Sequence, residues 1–217
     1  MPQDQMQTAI LVLFILFFSI GIHEYVHAKV ADMAGDPTPS IYGRVTLNLT
    51  KHFDPIGVIF IIITVFAGYG LGWGKPVPMN PSKMRNPRWD HFWAVFCAPL
   101  TNLAIAIFAG LLFRIIAMQG SLQFNGVQEF LYMTVIVNLG LFFFNMLPLG
   151  PLDGMWIFGS FLPEKQRHYW TKFNLSIGSY FFLALVLIRI PTDRGWVAPL
   201  QYLMPFREPV ARLLLGY

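Results

Sequence analysis

From Ala9 to Ile22 the chain carries no charged residue, and a run of that kind leaves few folds open. Inside lipid every backbone amide must find its partner within the protein, so such a run becomes a helix or a strand of a closed barrel. Uncharged runs recur at Pro55–Gly74, Phe92–Phe113, Phe130–Leu149 and Phe173–Ile188. Most approach the ~20 residues that an α-helix needs to cross a hydrocarbon core of ~30 Å. The 217 residues are 55% hydrophobic and only 12% charged, about half the charged share of a soluble domain. The expectation is an all-α polytopic membrane protein of about five to six membrane segments, folded as one domain over residues 1–217.

The first apolar run ends in His23-Glu24-Tyr25-Val26-His27. Residues four apart share a helix face, so His23 and His27 are placed to grip one metal ion from the same side. Glu24 lies one step round the helix, within reach of an activated water as general base. Ionisable groups at this depth are expensive and persist for a function, and one zinc ion used for hydrolysis supplies that function. The competing reading is a polar cluster at a helix end, or a ligand set that binds metal without chemistry. Met1–Gln7 lacks the basic stretch and cleavage site of a signal peptide, so the first helix is expected to be retained.

The connectors set the topology. Span one stops at Gly35-Asp36-Pro37, a helix-ending combination. Val45 to Thr50 alternates apolar and polar residues, the pattern of a short strand or half a hairpin. Lys75, Lys83, Arg85 and Arg88 make one basic connector, and Lys165, Arg167 and Lys172 another, whereas residues 119–128 contain no Lys or Arg. Basic connectors stay in the cytoplasm, so span one runs inward and the return of Phe130–Leu149 ends on the same side. Pro55–Gly74 then has basic segments at both ends, which favours a re-entrant segment over a crossing. The tail from Trp196 to Tyr217 is either a short span or an interfacial helix.

A catalytic zinc takes three protein ligands and leaves a fourth position open. The best third candidate is Asp153, in Asn145-Met146-Leu147-Pro148-Leu149-Gly150-Pro151-Leu152-Asp153-Gly154. Charge-derived orientation and depth counted along the first helix bring this segment to the level of His23 and His27. Pro148 and Pro151 break helical continuity there. An aspartate before glycine is also a common turn residue.

These motifs together resemble the site-2 proteases, intramembrane zinc metalloproteases. Gly72-Trp73-Gly74-Lys75-Pro76-Val77-Pro78-Met79-Asn80-Pro81 and Ala98-Pro99-Leu100-Thr101-Asn102 resemble the small prokaryotic members. The resemblance implies His23, His27 and Asp153 as zinc ligands, Glu24 as general base, and Asn145 as a polar contact for the substrate backbone or oxyanion. Ala98 stands where the family usually has glycine. Asn145 equally suits an interhelical hydrogen bond, and Asn102 reads as structural.

The expected activity is cleavage of a transmembrane segment of a membrane-protein substrate in a prokaryotic cell membrane, with the site nearer the cytoplasmic face. Val45 and Leu47, on the edge of the expected strand, are candidates to pair with the unwound substrate. A non-proteolytic zinc-binding scaffold and a metal transporter are the rival classes. A net charge of +4 scattered over connectors is no nucleic-acid signature. The single Cys97 excludes an internal disulfide framework. His52 with Asp54, close in sequence to the expected strand, reads as an interfacial residue or as one that enters the site, and His91 and His168 read as headgroup-level residues. Oligomeric state is not encoded in any recognisable pattern.

Overall fold

A computed structural model describes residues 3–67, 72–118, 126–188, 190–192, 195–197, 202 and 204–216. Helix α1 runs Gln3–Met33, about 45 Å at 1.5 Å per residue. It stops where the sequence says it should. Gly35, at φ 105°, donates its N–H to the Asp32 carbonyl, and Asp36 donates to that of Ala31. This pair of bonds satisfies the last carbonyls through a left-handed residue that glycine adopts without strain.

A single turn, α2 (Thr38–Ile41), leads into bends and a 3-10 turn at Leu49–His52. The strand expected over Val45–Thr50 does not form. An alternating pattern needs a neighbouring strand to take its backbone bonds, and this segment spends its polar groups locally. Asn48 N donates to Thr46 Oγ1 at 3.2 Å, and Thr50 Oγ1 donates to Asn48 Oδ1 at 2.6 Å, the competition with secondary structure typical of these residues. Among the described residues the one antiparallel pair is β1 (Ile190–Thr192) with β2 (Gly195–Val197), far along the chain.

Helix α3 (Pro55–Ala67) has 13 residues, about 20 Å at the same rise and short of a crossing. Helices α4 (Trp89–Met118) and α5 (Gly126–Asn145) follow. After α6 (Asp153–Gly159) come α7 (Glu164–Phe173), a π-helical turn at Asn174–Gly178 and α8 (Ser179–Leu187), which form one continuous helix of 24 residues. The connector expected around Lys165, Arg167 and Lys172 is thus helical. Its polar first turns carry the fourth crossing further than its apolar run alone.

Four helices among the described residues are long and apolar enough to cross a membrane, so the chain is a multi-pass membrane protein, and the described residues supply four of the expected five to six segments. The tail ends in α9 (Arg207–Leu215), whose nine residues are too few to span. Residues 68–71, 119–125 and most of 198–203 lie outside the described residues, and with them the turn of the expected re-entrant segment and most of the charge-poor connector.

Packing follows small residues. Ala28 and Ala31 on α1 and Ala94 and Ala98 on α4 have no exposed surface, which lets the two backbones approach as membrane helices do. A second cluster joins α4, α5 and α9 through Phe113, Leu131, Val135 and Leu139 with Ala211 and Leu215. The histidine pair of α1 faces α4, and the start of α6 reaches the same level from the end of α5.

Candidate metal centre

His23 and His27 are buried, with their Nε2 atoms 3.1 Å apart. The other nitrogen of each ring is engaged. His27 Nδ1 lies 2.8 Å from the Ala94 carbonyl oxygen, and a carbonyl only accepts, so Nδ1 carries the proton. His23 Nδ1 lies 2.7 Å from Asn102 Oδ1. The orientation of that amide follows from its neighbours. Asn102 Nδ2 donates to Asn138 Oδ1 at 3.0 Å and to the Ser19 carbonyl at 3.4 Å. Asn138 Nδ2 donates in turn to the Thr134 carbonyl at 3.0 Å. A chain anchored on backbone carbonyls therefore leaves Asn102 Oδ1 as acceptor and His23 Nδ1 as donor. In each neutral ring Nε2 is then a bare lone pair, oriented by its outer partner as metal-binding imidazoles are.

Asp153 meets this pair from the first turn of α6. Its Oδ2 lies 3.1 Å from His23 Nε2 and its Oδ1 3.3 Å from His27 Nε2. Despite that closeness Oδ2 is buried without a hydrogen-bond partner, as it must be if Nε2 has no proton to give. Three acceptors crowded at these distances repel one another unless a cation lies among them. Ligand atoms at ~2.0–2.1 Å from a tetrahedral zinc are about 3.3 Å apart, close to the separations of 3.1, 3.1 and 3.3 Å seen here. Two imidazoles and a carboxylate form a donor set that suits zinc and leaves one position open. The side chains present fit that ion.

The three donors open on a cavity of about 540 Å³ that Glu24, Asn145 and Trp156 also line. Glu24 adjoins Gly74, where an added Cβ would sit 2.8 Å from Ile20 Cγ2 and 3.1 Å from Glu24 Oε1. A side chain at this position would press on Ile20 and Glu24, so glycine keeps the backbone close to that carboxylate. The non-helical segment Gly72–Met79 contributes Gly72, Trp73, Gly74, Pro76, Val77 and Met79 to the cavity wall. Lys75 N donates to the His52 carbonyl at 2.7 Å, and the Arg44 guanidinium donates to the Lys75 carbonyl.

Asn145 stands on the cavity wall, while its Nδ2 donates to the Leu141 carbonyl of its own helix at 3.0 Å. Val45 and Leu47 are not brought to the site: neither lines the cavity, and Leu47 is 72% exposed. With no strand at Val45–Thr50, no edge is presented there. His52 is fully buried and does not line the cavity, and its Nε2 donates to the Thr46 carbonyl at 2.9 Å. Burial lowers the His52 pKa, and it lowers that of Arg44 as well. His91 packs its ring against Trp156.

Sequence reasoning missed two contributors. Asn102, read as structural, bonds directly to a ligand candidate, and residues of Gly72–Met79 line the cavity where Val45 and Leu47 do not. The signal for the first was a pair of asparagines, Asn102 and Asn138, deep in otherwise apolar spans, where such side chains seek each other.

Comparison with known proteins gives the chain its relatives. The family model described as Peptidase family M50 matches residues 110–189, a stretch that includes Asp153 but not the histidine pair. "Putative zinc metalloprotease YwhC" of Bacillus subtilis (strain 168) is 35% identical over 185 residues, which cover 83% of this chain and 82% of that protein. No solved structure matches.

Proposed function

The chain belongs to peptidase family M50, and from that premise we propose that it is a zinc-dependent endopeptidase that cleaves transmembrane segments of membrane proteins within the bilayer. The observation that carries this reading is the convergence of two bare Nε2 atoms and the Asp153 carboxylate beside Glu24, in a cavity among membrane-crossing helices. His23, His27 and Asp153 hold one zinc ion. When bound, zinc acts as a Lewis acid that lowers the pKa of water and polarises a carbonyl.

The protein's own groups do the rest. The Glu24 carboxylate accepts a proton from the attacking water and returns it to the leaving amine. The Asn102–Asn138 chain keeps the His23 proton on Nδ1, and the Ala94 carbonyl does the same for His27. A transmembrane helix hides its carbonyls in its own hydrogen bonds, so the scissile segment must unwind before it is cut. The cavity wall at Gly72–Met79 has no helical structure of its own, and it offers an unwound substrate a surface to lie along. Asn145 supplies a polar contact to the substrate backbone.

Lys75, Lys83, Arg85 and Arg88 follow α3, and Lys165, Arg167 and Lys172 follow α6. That distribution supports a cytoplasmic end for α1 in a prokaryotic cell membrane. His23 lies about 15 Å from that end at 1.5 Å per residue, inside the hydrocarbon but nearer the cytoplasmic face. In this arrangement α3 is re-entrant.

The test is purification of wild type and Glu24→Gln in detergent, with zinc content and cleavage of a panel of single-span peptides measured side by side. Wild type should cleave, and Glu24→Gln should retain zinc without cleaving. Equal zinc and no cleavage by wild type on a broad panel would instead favour a non-proteolytic zinc scaffold.

A further inference from the structure

Asp153 sits on a short support. Its helix, α6, has seven residues, too few to hold together alone, and the preceding turn contains Pro148 and Pro151. A carboxylate that must stay about 3 Å from two imidazoles needs a firmer frame than that. The fourth crossing supplies it at two points. Before Asp153, Gly150 N–H donates to Asn174 Oδ1 at 2.8 Å. After it, the Trp170 indole N–H donates to the Met155 carbonyl at 2.8 Å.

The two anchors act as a unit. Trp170 and Asn174 are one turn apart, and Asn174 Nδ2 donates to the Trp170 carbonyl at 3.1 Å. Asn174 is fully buried and opens the π-helical turn, with its carbonyl accepting from Ser179 Oγ at 2.9 Å. The contact is close on both sides. A Cβ at Gly150 would lie 2.6 Å from the Asn174 carbonyl oxygen, and one at Gly178 would lie 3.0 Å from Asn174 Oδ1. Glycine at both places leaves room for Asn174, at Gly150 for its backbone and at Gly178 for its amide. π-Helical turns are rare and often accompany functional sites. Here the turn surrounds a side chain whose amide reaches out of its own helix to the loop carrying Asp153.

We propose that Asn174, assisted by Trp170, is the positioning residue that fixes the Asp153 carboxylate against His23 and His27, so that the fourth crossing sets the affinity of the metal site. The inference rests on the zinc reading above and extends it to residues that touch neither metal nor substrate. It predicts that ligand geometry, rather than stability alone, changes when the anchor is cut.

The experiment is titration of the metal-free full-length protein in detergent with Co2+, whose visible absorption reports tetrahedral coordination. It uses wild type, Asn174→Leu, Trp170→Phe and Phe113→Ala. Phe113 belongs to the apolar cluster of α4, α5 and α9, so its truncation loosens the fold without touching the Asp153 loop. Asn174→Leu should bind Co2+ about tenfold or more weakly, the range for loss of an outer-shell partner, with a weakened tetrahedral band. Trp170→Phe keeps the ring and loses one N–H, so a smaller shift in the same direction should follow. Phe113→Ala should lower thermal stability with affinity and spectrum unchanged.

Wild-type affinity and spectrum in Asn174→Leu would overturn the inference. So would an equal loss in Phe113→Ala, because general loosening would then explain both. Should Asn174→Leu fail to fold, Trp170→Phe decides alone, and an unchanged affinity there overturns the proposal. Absence of Co2+ binding by wild type would defeat the zinc reading itself, a result distinct from any difference among variants.

Discussion

In the half of the α4–α5 pair nearest Met118 and Gly126, an apolar cluster of Ala106, Ala109, Phe113, Leu131 and Val135 is closed over by Ala211 and Leu215 of α9, with Gln128 and Thr134 the buried polar side chains beside it. Half a helix away, α1, α4 and α5 bury Ser19, His23, Asn102 and Asn138 instead. The first region is held by close packing, which tolerates change in proportion to the volume removed. The second is a hydrogen-bonded chain in a low-dielectric setting, where each member must be satisfied and each fixes the next. One pair of helices thus divides its length between holding itself together and aiming two imidazoles.

That contrast is open to attack by substitution. The largest effect should come from Glu24→Gln, which leaves both regions intact and removes the proton acceptor. Cleavage should fall by about 10²–10⁴-fold with zinc content unchanged, as a peptide-cleavage assay beside metal analysis would show. Next, Asn102→Leu should weaken zinc binding by about 10–100-fold while helical content persists. A wild-type affinity in that variant would break the claim that the polar chain aims His23. Phe113→Ala should cost about 3 kcal/mol of stability, seen in thermal unfolding, and leave zinc affinity alone. Phe108, on the same helix but 65% exposed towards lipid, should be replaceable by alanine with little change in either measurement.

The smallest effect lies outside the spans. Asp36 Oδ1 accepts from Thr38 N at 3.0 Å, and its other oxygen accepts from Asn80 N. Burial pushes its pKa up, but these bonds outweigh that and hold it below the usual carboxylate value. A depressed folded-state pKa contributes stability above the ordinary carboxylate range near ~4 and loses it as pH falls through the folded value. Asp36→Asn should therefore lower stability slightly at neutral pH and flatten the acid limb of a stability–pH curve, with the two curves converging at low pH.

Much of this was legible in the residues. Helix α1 and its stop at Gly35 follow from an apolar run ended by a glycine. The approach of Asp153 to the histidines follows from charge bias and depth. The strand at Val45–Thr50 was not there to be found, because alternation describes a strand only when a partner takes its backbone bonds. Helix α7 was hidden by its polarity: Glu164–Phe173 carries Lys165, Arg167 and Lys172, which reads as connector until the apolar turns of α8 are joined to it. Asn102 and Asn138 were visible as polar residues in apolar spans. Their shared purpose was not, since it depends on which faces of α4 and α5 meet.

The most direct test of the metal centre is zinc X-ray absorption on the purified, zinc-loaded protein. The account predicts one ion coordinated by two imidazoles and light oxygen ligands near ~2.0–2.1 Å, with the Asp153→Ala variant losing zinc or one oxygen ligand. A sulfur ligand, a shell without imidazole scattering, or an unchanged spectrum at full occupancy in Asp153→Ala would contradict it.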